Sequence, residues 1–223
     1  MCPGAWEISR PSVLVATLTR ELVATKWALG YKNLQMPAYS NISILSGMPF
    51  DHARNTACEN MLSHGFEWLC FLDDDIVAPP DAIQRLINHR KDIVSGIYYR
   101  RAAPIVPVML RYEGNNPQPQ WITEWSPPNS LIEVDLVGAG ILLIHRRVLE
   151  RMTKPWFEWQ LGKEDPPPTP GEPPRPAKLS EDFQFCRRAK QEFGFQIFVD
   201  TSIQCEHIGL GASAGGGFAP SHV

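Results

Sequence analysis

The apolar and polar positions of the first half alternate between two periods. Val13-Leu14-Val15-Ala16-Thr17-Leu18 is a short apolar run rich in β-branched residues and predicts a buried strand. The spacing from Arg20 to Leu29 predicts a helix with Gly30 as its stop. Asn41–Leu45 reads as a second strand, and Asp51–His64 as a helix that leaves the Met48-Pro49-Phe50-Asp51 turn and ends at Gly65. Phe66–Leu72, apolar apart from Glu67, predicts a third strand. Pro80–Arg90 predicts the next helix, with Pro80 and Asp81 suited to its first turn, and Asp92–Tyr99 a fourth strand. Such alternation predicts an α/β fold: a Rossmann-like, mostly parallel central sheet with helices on both faces.

The second half loses that rhythm. Val106–Tyr112 and Trp121–Trp125 flank the turn-rich stretch Gly114–Gln120 and predict a small antiparallel ribbon. Leu131–Val137 alternates apolar and acidic residues and leads through Gly138-Ala139-Gly140 into the apolar Ile141–Ile144, with His145–Met152 helical. Two glycines interrupting such a run fit either a sheet bend or a close backbone approach to a ligand. Prolines at 166, 167, 168, 170, 173, 174 and 176 exclude helix or central strand between Gly162 and Lys178, leaving an extended loop that is either a lid or disordered. Ser180 suits the N-cap of a helix over Phe183–Phe193 that stops at Gly194. A last strand, Gln196–Asp200, and the segment Ile203–Gly209 precede a glycine-rich tail.

Composition narrows the function classes. The 223 residues fit one domain: a first half over 12–110, a second over 111–209, and a flexible tail over 210–223. A net charge of -3 with no basic stripe argues against a nucleic-acid partner. No apolar stretch has the length of a membrane span and no leader is visible, so a cytoplasmic protein is expected, with peripheral membrane contact compatible. The five cysteines are scattered and never spaced as CxxC, which predicts free thiols rather than a disulfide framework or a zinc site.

The chemistry concentrates at two acidic motifs. Asp73-Asp74-Asp75 follows the third strand directly. Clustered carboxylates at the end of a buried strand repel one another, and a divalent cation relieves that repulsion. In a parallel sheet the carboxyl end of a strand is also where ligands bind. The second motif, Ser180-Glu181-Asp182, opens the last helix, where acids also stabilise the helix dipole. His207 lies shortly before the tail, and a group of aromatics (Trp121, Trp125, Trp156, Phe157 and Trp159) suits a sugar-binding surface or simply the core.

In this order the motifs resemble the A-type fold glycosyltransferases, particularly the inverting family 2 group. The resemblance rests on an apolar strand ending in DxD, the Asp51-His52-Ala53-Arg54-Asn55 segment, Gly138 and Gly140, Ser180-Glu181-Asp182 and the late His207, and it spans residues 12 to 209. It implies transfer of a sugar from a UDP- or GDP-linked donor to a carbohydrate or other hydroxyl acceptor. Asp73, Asp75 and His207 would hold Mn²⁺ or Mg²⁺. Thr17, Arg54, Asp73, Asp74, Gly138 and Gly140 would bind the donor, with Asp182 the general base and Glu181 beside it. The residue types suit that chemistry. A cation stabilises the departing diphosphate, and a carboxylate takes the proton of a weakly nucleophilic hydroxyl. Retaining enzymes of the same fold carry DxD and a histidine too, so both stereochemical outcomes stay open. A nucleotide-sugar-binding module and a nucleotidyltransferase are the other readings. The latter usually has a glycine-rich phosphate loop, and Thr17-Leu18-Thr19-Arg20-Glu21 has no glycine.

Overall fold

The computed structural model describes residues 11–159 and 178–209. The proline-rich loop expected over 162–178, apart from Lys178, and the tail at 210–223 lie outside the described residues. The first half contains β1 (Ser12–Thr19), α1 (Thr25–Lys32), β2 (Tyr39–Ser46), α2 (Phe50–Ser63), β3 (Trp68–Leu72), β4 (Ile76–Val77), α3 (Ala82–Asn88) and β5 (Ile93–Ile97). The second contains β6 (Met109–Arg111), β7 (Gln120–Trp121), β8 (Leu131–Val134), β9 (Leu136–Val137), β10 (Ile141–His145), α4 (Arg146–Arg151), α5 (Glu181–Gln191), β11 (Ile197–Gln204) and β12 (Glu206–His207).

Most expected elements form with shifted bounds: the strand expected over Trp121–Trp125 pairs only at Gln120–Trp121, the last strand runs on to Gln204, and α5 starts at Glu181. β1 runs on to Thr19, and α1 begins at Thr25 rather than Arg20. Between them Glu21 takes a left-handed conformation (φ 80°), and its N–H donates to Thr19 Oγ1 at 3.1 Å. Gly30 lies inside α1 instead of stopping it. A Cβ there would come within 2.7 Å of Val77 Cγ1, so this glycine lets α1 pack closely against β4. Gly65 (φ 76°) and Gly194 (φ 73°) follow α2 and α5 in the conformation that ends helices cheaply.

A mixed α/β architecture results, with a large, mostly parallel sheet between helices. The strand order is β2-β1-β3-β10-β5-β11-β8. Strands β2, β1, β3, β5 and β11 run one way, while β10 and β8 run the other. The reversed β10 in the centre was not legible. Its sequence, Ile-Leu-Leu-Ile-His, is buried throughout, and an apolar run carries no sign of strand direction. Leu131–Val137 divides at Asp135, so that β8 edges the main sheet and β9 joins the antiparallel ribbon β7-β6-β9.

Alternation along β1 divides the core. Leu14, Ala16 and Leu18 face Ala53, Ala57 and Met61 of α2 and Phe185 of α5, while Val13 and Val15 share the opposite core with Ile83 and Leu86 of α3. Burying each of the larger side chains among these, the alanines apart, contributes about 1.5–3 kcal/mol. Trp156 and Phe157, candidates for sugar stacking, belong to this core, with Phe157 stacked on Phe185 at 4.5 Å. Cys58, Cys70, Cys186 and Cys205 are buried free thiols.

Candidate functional site

The carboxyl ends of β1, β2 and β3 open on a cleft of about 890 Å³. Thr19 and Arg20 line it from the end of β1, Gly47 to Phe50 from the turn into α2, and Asp74 and Asp75 from the turn after β3. Arg101, Ile208 and Trp159 complete its polar and apolar walls. The position follows from topology. The chain order reverses between β1 and β3, and such a switch point leaves a crevice at the strand ends.

Backbone hydrogen bonds hold the acidic turn in place. Asp73 N–H donates to the Gly140 carbonyl at 2.9 Å, and Trp27 Nε1–H donates to the Asp73 carbonyl at 2.9 Å. On the other side β12 pairs with β4, and Ile208 N–H donates to the Asp75 carbonyl at 2.7 Å. Within this frame the three carboxylates separate. Asp73 turns toward Arg54, whose Nη2 lies 3.1 and 3.3 Å from its two oxygens. Asp74 faces the cleft. Asp75 Oδ2 meets Arg101 Nη1 at 3.0 Å and His207 Nε2 at 3.4 Å.

Arg54, on α2 and only 3 % exposed, joins the two acidic motifs. Its Nε reaches Glu181 Oε1 at 3.3 Å and its Nη1 the Ala139 carbonyl at 3.5 Å, with the Phe71 ring 4.9 Å from the guanidinium carbon. Burial opposes the Arg54 charge, but Asp73, Glu181 and Asp182 outweigh it and keep the guanidinium firmly protonated. Burial raises the carboxyls of Asp73 and Glu181 above their usual range, an effect that Arg54 only partly offsets. Asp182 is held by three donors: Ala139 N–H on Oδ2 at 3.1 Å, and Phe183 N–H at 2.8 Å and the Ser180 hydroxyl on Oδ1. Ser180 therefore engages Asp182 instead of capping the helix through its side chain.

Several expected site residues have other duties. Thr17 is fully buried on the Val13 and Val15 face of β1, beside the Tyr31 hydroxyl, and does not line the cleft. Because β1 extends two residues further, Thr19 takes the place at its end. Gly138 and Gly140 are pressed against Tyr98: a Cβ would lie 2.1 Å from its hydroxyl at Gly138 and 2.8 Å from Cζ at Gly140. Their close approach is to that ring, and Gly140 N–H donates to the Tyr98 hydroxyl at 3.1 Å. Arg54 and Glu181 neutralise one another, and Asp73 is turned from Asp75 toward Arg54.

Of the three expected metal ligands, Asp75 and His207 stand together, while Asp73 is taken by Arg54. His207 Nδ1 lies 2.6 Å from the Tyr99 carbonyl, which can only accept, so Nδ1 carries the hydrogen. In the neutral ring this aims the Nε2 lone pair at Asp75, the arrangement that orients a metal-binding imidazole. Burial opposes the Asp75 charge, but the protonated His207 ring, donating through Nε2–H, and the Arg101 guanidinium hold its carboxyl below the ordinary range, so only the neutral ring leaves Nε2 open to a cation. Among the described residues no group of three His, Cys, Asp or Glu side chains surrounds a common position. A cation here would rest on two protein groups and take its other ligands from substrate or water, as Mg²⁺ and Mn²⁺ sites on diphosphates do.

Sequence reasoning missed Arg101, Tyr98 and Thr19. Arg101 and Thr19 lie in or beside turns without a motif, and the role of Tyr98 follows only from its packing on the two glycines. No protein-family model and no curated protein matches the chain. A solved structure, A197 from STIV, is similar in fold, with a TM-score of 0.58 at 19% identity over 88% of this chain and 85% of that one. No helix among the described residues is long and apolar enough to cross a membrane.

Proposed function

We propose that the protein is a metal-dependent glycosyltransferase of the A-type fold, moving a sugar from a nucleoside-diphosphate donor to a hydroxyl acceptor. One observation supports this most: Asp74 and Asp75 of the acidic turn line a cleft at the switch point of the sheet, and an oriented histidine, His207, lies 3.4 Å from the Asp75 carboxylate. Asp75 and His207 would hold Mn²⁺ or Mg²⁺, which when bound neutralises charge on the departing diphosphate. Asp74 and Thr19 would orient the donor from the cleft wall. Asp182, which is not among the residues lining the cleft but acts electrostatically on Asp73, would accept the acceptor hydroxyl's proton. Its three donors fix the carboxylate, and one of its roughly four lone-pair sites remains for that hydroxyl. A base facing the leaving group produces inversion, which the anomeric coupling of the product reveals by NMR. Retention would remove Asp182 from that role.

A second reading, a nucleotide-sugar-binding module, is favoured by the internal pairing of Glu181 with Arg54 and by the three donors already on Asp182. One experiment separates them. A thermal-shift panel of UDP- and GDP-sugars, with and without Mn²⁺, should show cation-dependent stabilisation that Asp75→Asn abolishes. Nucleoside diphosphate release from the stabilising donor, in the presence of acceptor glycans, marks the enzyme. Stabilisation without release marks the binding module. A panel that stabilises nothing removes both.

A further inference from the structure

One oxygen, Asp75 Oδ2, has two partners, and Arg101 is the closer. Arg101 stands in the connection between β5 and β6, with a side chain 50% exposed. Its Nη1 also lies 3.5 Å from the carbonyl of Ile208, the residue after His207. Its guanidinium therefore spans the acidic turn and the segment bearing the histidine, on the wall of the same cleft. An ion pair so exposed adds little to the fold. What Arg101 does instead is neutralise Asp75 at the oxygen that a divalent cation would take.

Two cations cannot share that oxygen without repulsion. A guanidinium has five donors in a fork that matches phosphate oxygens, and Arg101 uses few of them here. We propose that Arg101 is a resident counter-cation, holding Asp75 until a divalent cation displaces it and then gripping the diphosphate that arrives with that cation. This inference rests on the cation reading of the preceding subsection. Cation and diphosphate then bind with positive coupling, each strengthening the other, because Arg101 exchanges one anionic partner for another. The protein alone binds the cation weakly, so the site is completed only when donor is present.

The test compares wild type with Arg101→Ala and Arg101→Lys, each first checked for an unchanged melting temperature. Mn²⁺ binding without nucleotide is followed by electron paramagnetic resonance, and inorganic pyrophosphate binding at saturating Mn²⁺ by calorimetry. Arg101→Ala should bind Mn²⁺ about 3–10-fold tighter than wild type and pyrophosphate about tenfold weaker, with Arg101→Lys between. Equal or weaker Mn²⁺ binding by Arg101→Ala overturns the role of Arg101 while leaving the cation site standing. Unchanged pyrophosphate affinity does the same. Absence of Mn²⁺ binding in all three proteins overturns the inference and the cation reading together.

Discussion

At the scale of single residues, the guanidinium of Arg54 holds together two carboxylates that are 108 residues apart in the chain, Asp73 and Glu181. Removing one partner of a buried ion pair leaves the others uncompensated, so Arg54→Met should destabilise the protein by about 3–5 kcal/mol at pH 7. The pH dependence has a definite sign. Burial raises the folded-state pKa of Asp73 and Glu181, and loss of Arg54 raises both further. A raised acid favours folding fully below its unfolded pKa and loses that contribution as pH rises through the folded value. The deficit of Arg54→Met should therefore shrink as pH falls from neutral toward the ordinary carboxylate range. Urea unfolding of both proteins across that interval measures it, and a deficit that grows on acidification contradicts the assignment.

Elements meet most tightly where the turn before β10 crosses Tyr98, just after β5. The Tyr98 hydroxyl would lie 2.1 Å from a Cβ at Gly138, and Val108 Cγ1 2.8 Å from it. Overfilling so close a contact costs about 1–3 kcal/mol, and Gly138→Ala should lose that much stability. The cost should fall when the hydroxyl is removed by Tyr98→Phe. A double-mutant cycle in urea reads this coupling, and identical costs in both backgrounds would locate the strain elsewhere. The same turn offers Ala139 N–H to Asp182 and the Ala139 carbonyl to Arg54, so displacing it disturbs both acidic motifs at once.

For the molecule as a whole, the sheet ends on one side in β2 among the described residues. This strand, Tyr-Ser-Asn-Ile-Ser-Ile-Leu-Ser, carries neither charge nor proline, and Ile42 and Ile44 are 46% and 54% exposed. Edges of sheets usually carry charges or proline that prevent pairing with another chain. Ile44→Lys should lower concentration-dependent light scattering while leaving the melting temperature nearly unchanged. Equal scattering by the two proteins would show that this edge takes no part in association.

The local pattern of residues determined nearly every element and the two acidic motifs at strand and helix ends. These depend on period, turn chemistry and like-charge repulsion, all of which act between near neighbours in the chain. The convergence of Arg54, Asp73 and Asp182 was implied only through resemblance, and their partners were not legible. Tertiary structure decided that β10 runs against its neighbours, that Gly138 and Gly140 make room for a tyrosine, and that Asp73 faces Arg54 while Asp75 faces Arg101 and His207. Those outcomes depend on which buried groups find partners across the sheet. Three adjacent aspartates look equivalent in sequence, but burial and long-range pairing give each a different environment.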